Sequence, residues 1–208
     1  MTNDLVLTEE EARFEALIQG LLSEGHGTCP DFIDPLTANG LRSNLLSHKQ
    51  SGDMRPAGIS RQFDYQRNAE VRGDVIRWIE NDTSDVFELL VLSRIQAFIT
   101  YLNRTCYTAI NDFEFHYAYY EQGSFYKRHL DQFKSDKGRK YSLVMYLNED
   151  WLESDGGQLA LYHPDGTQEN VLPVSGRAVF FESDKVEHEV HPSFNRYRLS
   201  IAGWLKQV

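Results

Sequence analysis

His129, Asp131 and His188 are the residues of this 208-residue chain best suited to hold a redox-active metal. Two imidazoles and one carboxylate on one face of an ion leave its remaining positions open. That donor set suits Fe(II), and Mn, Co or Ni can use it too. In an extended strand, residues two apart point to the same side, so His129 and Asp131 can converge from one strand end. His188 would arrive from a later strand laid alongside.

A His-x-Asp pair alone says little, and the chain holds a second copy, His163-Pro164-Asp165. Pro-Asp-Gly-Thr is strong turn chemistry, so that copy reads as a turn. His191 competes with His188 for the third position, and strand alternation does not decide between them. The spacing to Arg198, ten residues beyond His188, favours His188. A buried guanidinium grips a carboxylate with two parallel hydrogen bonds. Arg198 is therefore a candidate for the far carboxylate of 2-oxoglutarate. The 1-carboxylate and 2-keto oxygens of that molecule would take two open metal positions and leave one for O2. Arg196 has the same parity as Arg198 and stays open. Tyr146, in the apolar run Leu143-Val144-Met145-Tyr146-Leu147, would need a partner for its hydroxyl if buried. A cosubstrate carboxylate would serve, though an ordinary core tyrosine is the plainer reading.

The elements that must position these groups change character along the chain. Thr8-Glu9-Glu10-Glu11 is a capping box, followed by Phe14, Leu17, Ile18, Leu21 and Leu22 at helical spacing and by Gly25 as a stop. Residues 29–33 read as a short strand, and Asp34-Pro35 opens a second helix that runs to about Gly52. Residues 51–71 are polar and read as a long loop, with a short strand near Ile59–Phe63. A third helix spans 84–103, with Phe87, Leu90, Val91, Ile95, Phe98 and Ile99 on its buried side. From Glu114 onward the chain breaks into short β-rich runs: 115–120, 141–147, 158–162, 170–173, 177–182, 188–191 and 197–205. Turn residues separate them. Helices first and strands afterwards predict an α+β protein with a double-stranded β-helix (jelly roll) core and supporting N-terminal helices. The expected organisation is one domain over 1–208, with 1–110 giving helical support and a substrate loop and 111–208 the catalytic core.

Composition narrows the partners. A net charge of −10 argues against binding a phosphate backbone, and so against nucleic-acid demethylation. Cys29 and Cys106 have no C-x-x-C spacing, and a reduced, cytoplasmic chain is expected. No signal peptide is read at residues 1–11, and no apolar stretch is read as a membrane span.

With these residues in place, the chain resembles the 2-oxoglutarate- and Fe(II)-dependent prolyl 4-hydroxylases, especially the oxygen-sensing HIF prolyl hydroxylases and their bacterial relatives. The matching residues are Tyr120-x-x-Gly123-x-x-Tyr126-x-Arg128-His129-x-Asp131 and Tyr146-Leu147-Asn148-x-Asp150-Trp151. Gly156-Gly157-x-Leu159, Phe180-Phe181-x-Ser183-Asp184, His188-Glu189-Val190-x-Pro192, Arg198 and Trp204 continue the match. Upstream, Arg72-Gly73-Asp74-x-Ile76-x-Trp78-Ile79-Glu80 resembles the segment before the catalytic core. The likeness runs from about Gly27 to the C-terminus.

The resemblance implies iron ligands His129, Asp131 and His188. It implies Arg198 and Tyr146 on the far carboxylate of 2-oxoglutarate, and Tyr120 close to cosubstrate and metal. It puts Arg139, Trp204 and Asp74 on the substrate side, under a flap formed by residues 60–78. The implied cofactors are Fe(II), 2-oxoglutarate and O2, with ascorbate as reductant. The implied reaction is peptidyl-proline 4-hydroxylation in an intracellular protein, with elongation factor Tu a candidate and no collagen-type peptide-binding domain expected. Asp131 as the carboxylate favours hydroxylation over halogenation. Two other readings stand beside this one: an oxygenase acting on a free amino acid or small metabolite, and a non-enzymatic module that binds 2-oxoglutarate. There are departures. The His188–Arg198 spacing is one residue longer than in the animal oxygen sensors, Ala202 stands where some relatives carry Thr, and Gly203 precedes Trp204.

Overall fold

The computed structural model describes residues 7–58, 71–132 and 138–208. The strand expected near Ile59–Phe63, and the flap up to residue 70, lie outside the described residues. Helix α1 (Glu9–Glu24) starts where the capping box predicts. The Thr8 hydroxyl accepts from the Glu11 amide and the Glu11 carboxylate accepts from the Thr8 amide, both at 3.1 Å. Gly25 ends the helix at φ 81°, a conformation that favours glycine. Strand β1 (His26–Cys29) comes next. Helix α2 (Pro35–Ser51) is capped by the Asp34 side chain and closed by Gly52. After β2 (Arg55–Pro56) and β3 (Asp74–Trp78) comes α3 (Val86–Thr105), capped by Asp85. The remaining strands are β4 (Asp112–Tyr120), β5 (Tyr126–His129), β6 (Arg139–Tyr146), β7 (Leu159–Tyr162), β8 (Gln168–Val171), β9 (Ala178–Glu182), β10 (Glu187–Val190) and β11 (Arg198–Lys206).

The strands form two antiparallel sheets, a seven-stranded one in the order β1-β9-β6-β11-β4-β3-β2 and a four-stranded one in the order β5-β10-β7-β8. One core lies between the helices and the outer face of the larger sheet. Phe14, Leu17, Leu41, Ile95 and Phe98 meet Tyr117, Leu143, Phe180, Leu199 and Ile201 there. A second, smaller core lies between the sheets, where Ala118, Tyr120, Tyr146, Val179 and Phe181 meet Leu159, Leu161 and Val190. This is the jelly roll backed by helices on one side.

Several expectations shift. The first strand is His26–Cys29, not 29–33, because β1 pairs with β9 only as far as Cys29↔Ala178. Phe32 and Ile33 are buried in the turn beyond, and the Ile33 amide donates to the Gly176 carbonyl. Leu22 is 74% exposed and Leu90 50%, since each falls just outside its helix's buried stripe. Strand β3 is an addition to the expected elements; it pairs along β4 from Asp74↔Tyr120 to Trp78↔His116. By length and composition α3 is apolar enough to cross a membrane, contrary to the expectation from sequence. In this structure its apolar face, Val91, Ile95, Phe98 and Ile99, lies in the main core.

Gly203 has a steric reason. It stands directly opposite Phe115 in the β4–β11 register. A Cβ at Gly203 would come within 2.3 Å of the Phe115 ring and 2.2 Å of the Glu114 carbonyl oxygen. The ring occupies the space that a side chain at 203 would need.

Candidate active site

The two sheets meet at the site. His129 ends β5 and stands opposite His188 of β10. Asp131 lies two residues after His129. Its Oδ1 lies 3.4 Å from His129 Nε2 and its Oδ2 lies 3.5 Å from His188 Nε2. All three donor atoms fall within 4.8 Å of one another.

Both imidazoles are oriented by their own backbone. His129 Nδ1 sits 2.7 Å from the Lys127 carbonyl oxygen, and His188 Nδ1 sits 3.1 Å from that of Val186. A carbonyl only accepts, so each Nδ1 carries the proton and each Nε2 keeps its lone pair. Burial pushes His188 down to about 4, so it is neutral near pH 7. Burial pushes the Asp131 carboxyl up, but the His188 and His129 rings and the Ser142 hydroxyl outweigh it. They hold the group well below the usual carboxylate range. Ser142 Oγ donates to Asp131 Oδ2 at 2.7 Å and is itself 2.9 Å from Ser183 Oγ. The Tyr126 ring stacks on His129 at 3.5 Å, and Phe181 packs against His188 with ring centroids 4.7 Å apart.

Two imidazole Nε2 atoms and a carboxylate therefore converge on one point. His129 Nε2 is buried and makes no hydrogen bond. That is a poor arrangement for stability and a good one for a divalent cation, and it fits Fe(II).

Deeper in the sandwich, Arg198 is 2% exposed at the start of β11. Its Nε donates to the Gly157 carbonyl at 2.9 Å and its Nη1 to Ser200 Oγ at 3.3 Å. Its Nη2 has no hydrogen-bond partner, and neither has the buried hydroxyl of Tyr146. The guanidinium carbon lies 5.1 Å from the centre of the Tyr146 ring and 5.2 Å from that of Tyr120. Leaving two such donors buried and unmatched costs free energy, which a carboxylate between them would recover. The pair thus fits the far end of a dicarboxylic 2-oxo acid. Arg196 precedes the strand, binds the Asp150 carbonyl at 3.3 Å and keeps its side chain 32% exposed, so it is not in this pocket. His191 likewise lies past β10 and turns to Glu189 at 3.2 Å, away from Asp131.

The three residues expected on the substrate side are held in different ways. Arg139 stacks its guanidinium over Trp204 at 3.4 Å, donates to Glu114 at 2.8 Å and reaches the Asp131 carbonyl at 3.3 Å. Asp74 has a fully buried side chain, held by Arg72 through two hydrogen bonds of 2.7 and 2.6 Å. Arg72 in turn lies 4.2 Å above the Tyr126 ring, and residues 72 and 126 form a β-bridge between the sheets. Asp74 therefore reaches the site through Arg72 and Tyr126. Tyr126 and Ser183 lie in the matched motifs and Ser142 does not, but no role was read for any of them, because cross-strand register, not sequence spacing, brings them to the metal ligands.

Comparisons with known proteins converge on one family. Residues 115–206 match the model of the 2OG-Fe(II) oxygenase superfamily. Human Egl nine homolog 1 is 26% identical over 191 residues, which is 85% of this chain and 43% of that protein. The chain spans about half the length of the curated relatives it matches. A prolyl-4-hydroxylase of Pseudomonas putida superposes with a TM-score of 0.83 at 32% identity, covering 94% of this chain and 99% of that one. A Trichoplax adhaerens prolyl hydroxylase, solved with a peptide of the hypoxia-inducible-factor oxygen degradation domain, superposes with a TM-score of 0.85 at 25% identity. It covers 95% and 90% of the two chains.

Proposed function

This chain belongs to the 2OG-Fe(II) oxygenase superfamily, in its prolyl hydroxylase-like branch, and from that premise we propose that it hydroxylates a prolyl residue of a protein substrate. The observation that carries the reading is the pairing of two unmet demands between the same two sheets. The donor atoms of His129, Asp131 and His188 converge within 4.8 Å of one another, and Arg198 and Tyr146 bury two unmatched donors.

In this reading, His129, Asp131 and His188 hold Fe(II), while Arg198 and Tyr146 hold the far carboxylate of 2-oxoglutarate. When bound, these cofactors and O2 supply the oxidation: 2-oxoglutarate becomes succinate and CO2, and one oxygen atom enters a C–H bond. The protein's part is positioning. The Lys127 and Val186 carbonyls fix both imidazole tautomers, and Ser142 fixes the Asp131 carboxylate. Tyr120 walls the cosubstrate, and Arg139 with Trp204 meets the substrate chain at the mouth.

The relatives support a peptide over a small metabolite, since the Trichoplax enzyme was solved with a peptide. Cys29 and Cys106 are both free, which supports the cytoplasm as the compartment. The test is proteomic. The protein is incubated with Fe(II), 2-oxoglutarate, ascorbate and a lysate of its host, and prolines that gain one oxygen are sought by mass spectrometry. One proline modified by the wild type and not by His129→Ala is expected; elongation factor Tu is the first candidate to inspect. No modified protein, together with succinate formation driven by a metabolite fraction, would replace the substrate class.

A further inference from the structure

Among the described residues, a second group of ligand-type side chains stands apart from the candidate iron site. The donor atoms of His26, His163 and Glu169 lie within 4.8 Å of one another. His26 opens β1 on the edge of the seven-stranded sheet. His163 follows β7 and Glu169 lies in β8, both in the four-stranded sheet. Elements far apart in sequence, from both sheets, thus bring two imidazoles and a carboxylate to one point.

His26 is the telling member. It is 4% exposed, so its ring has left water. A buried imidazole needs partners for its ring nitrogens. This one has no partner at Nδ1, and at Nε2 it has only the Glu169 carboxylate, 3.4 Å away. The His163 ring lies 5.6 Å from it, centroid to centroid. The second His-x-Asp copy is split by its own turn. Asp165 accepts from the Thr167 amide at 2.9 Å and from its hydroxyl at 2.6 Å. The motif therefore contributes one ligand, His163, and not a pair.

We propose that His26, His163 and Glu169 form a second metal site, for a borderline dication of the Zn2+ class, with water completing a tetrahedron. The donor types select the class. Calcium and magnesium prefer oxygen throughout, and Cu(I) prefers sulfur. Imidazole and carboxylate bonds of about 2.0–2.2 Å set tetrahedral donors about 3.4 Å apart. The His26–Glu169 separation already has that value. The ion would staple the edge strand of one sheet to the β7–β8 hairpin of the other. The two sites share a wall: Phe181, opposite His26 in the β1–β9 register, packs on His188.

The experiment counts metal. Tag-free, chelator-stripped full-length protein is equilibrated by dialysis against Co(II) and, separately, Zn(II), and bound metal per chain is measured by mass spectrometry. Wild type should bind two equivalents. Asp131→Ala and His163→Ala should each bind one, and the double variant none. Glu169→Gln, which keeps the side chain's shape, should weaken the second equivalent at least tenfold. Zn(II) should also raise the Tm of Asp131→Ala and leave that of the double variant unchanged. Asp131→Ala binding no metal would overturn the proposal, as would a second equivalent that persists in both His163→Ala and Glu169→Gln. Neither result bears on whether Asp131 serves turnover, so the two readings fail separately.

Discussion

Along β11 the side chains alternate between two environments. Leu199, Ile201 and Leu205 point toward the helices and are fully buried among apolar groups, whereas Arg198 and Ser200 point between the sheets. The same alternation runs through β6, where Leu143 and Met145 face the helices and Ser142 and Tyr146 face the candidate site. One face is held together by shape. The other carries buried polar groups whose partners are incomplete within the protein. Stability and chemistry therefore reside on opposite faces of the same strands: the helix-backed face supplies the first, and the inner face spends some of it on the second.

Substitutions should separate the two faces, and the largest expected effect is on the inner one. Asp131→Ala should abolish iron-dependent succinate formation, by at least about a thousandfold, while the chain still unfolds as one cooperative unit. Retained turnover would take Asp131 out of the metal site. On the other face, Phe98→Ala should do the reverse. Phe98 packs against Phe14, Phe32 and Phe180, so truncation should cost about 3–5 kcal/mol in denaturant unfolding and leave turnover per folded molecule unchanged.

Next in size is Arg198→Ala. Breaking a buried charge-assisted pair costs about 3–5 kcal/mol, so the 2-oxoglutarate requirement should rise by about two orders of magnitude or more. Arg196→Ala, on the exposed turn, should change it little, and titration of both variants with 2-oxoglutarate gives the comparison. The smallest effect expected is that of Ser142→Ala. Losing the hydrogen bond that orients Asp131 should weaken Fe(II) binding about tenfold, read by metal-dependent activation, with no more than a small loss of stability.

The helix ends were legible because caps are local. Thr8 with Glu11, Asp34-Pro35, Gly25 and Gly52 each state a backbone conformation within a few residues. Most strands after Glu114 were legible for the same reason, since alternation and turn residues act over short spans, whereas β2, β3 and β5 were not among the expected runs. His129 and Asp131 could be read from residue type and His188 from its spacing to Arg198, whereas the residues alone left Arg196 open beside Arg198 and the family resemblance chose between them. What was not legible depends on register. Tyr126 stacks on His129, Ser142 grips Asp131, and Arg72 covers Tyr126 because particular strands pair at particular offsets. The β1 offset has the same origin: Phe32 and Ile33 are as apolar as a strand, but they lie in a turn beyond the last β1–β9 pair. Leu22 and Leu90 show the limit of helical periodicity, which marks a stripe and not its edge.

Gly203 and Phe115 are a single unit of inheritance. The ring at 115 fills the space that any side chain at 203 would claim. A mutation at 203 alone meets backbone as well as ring, so the route to a larger residue there passes first through a smaller one at 115 and a shift of the strand. Among descendants of this gene the two positions should drift together or stay still, and Trp204, next along the strand, should keep its stack with Arg139 only in lineages that respect that order.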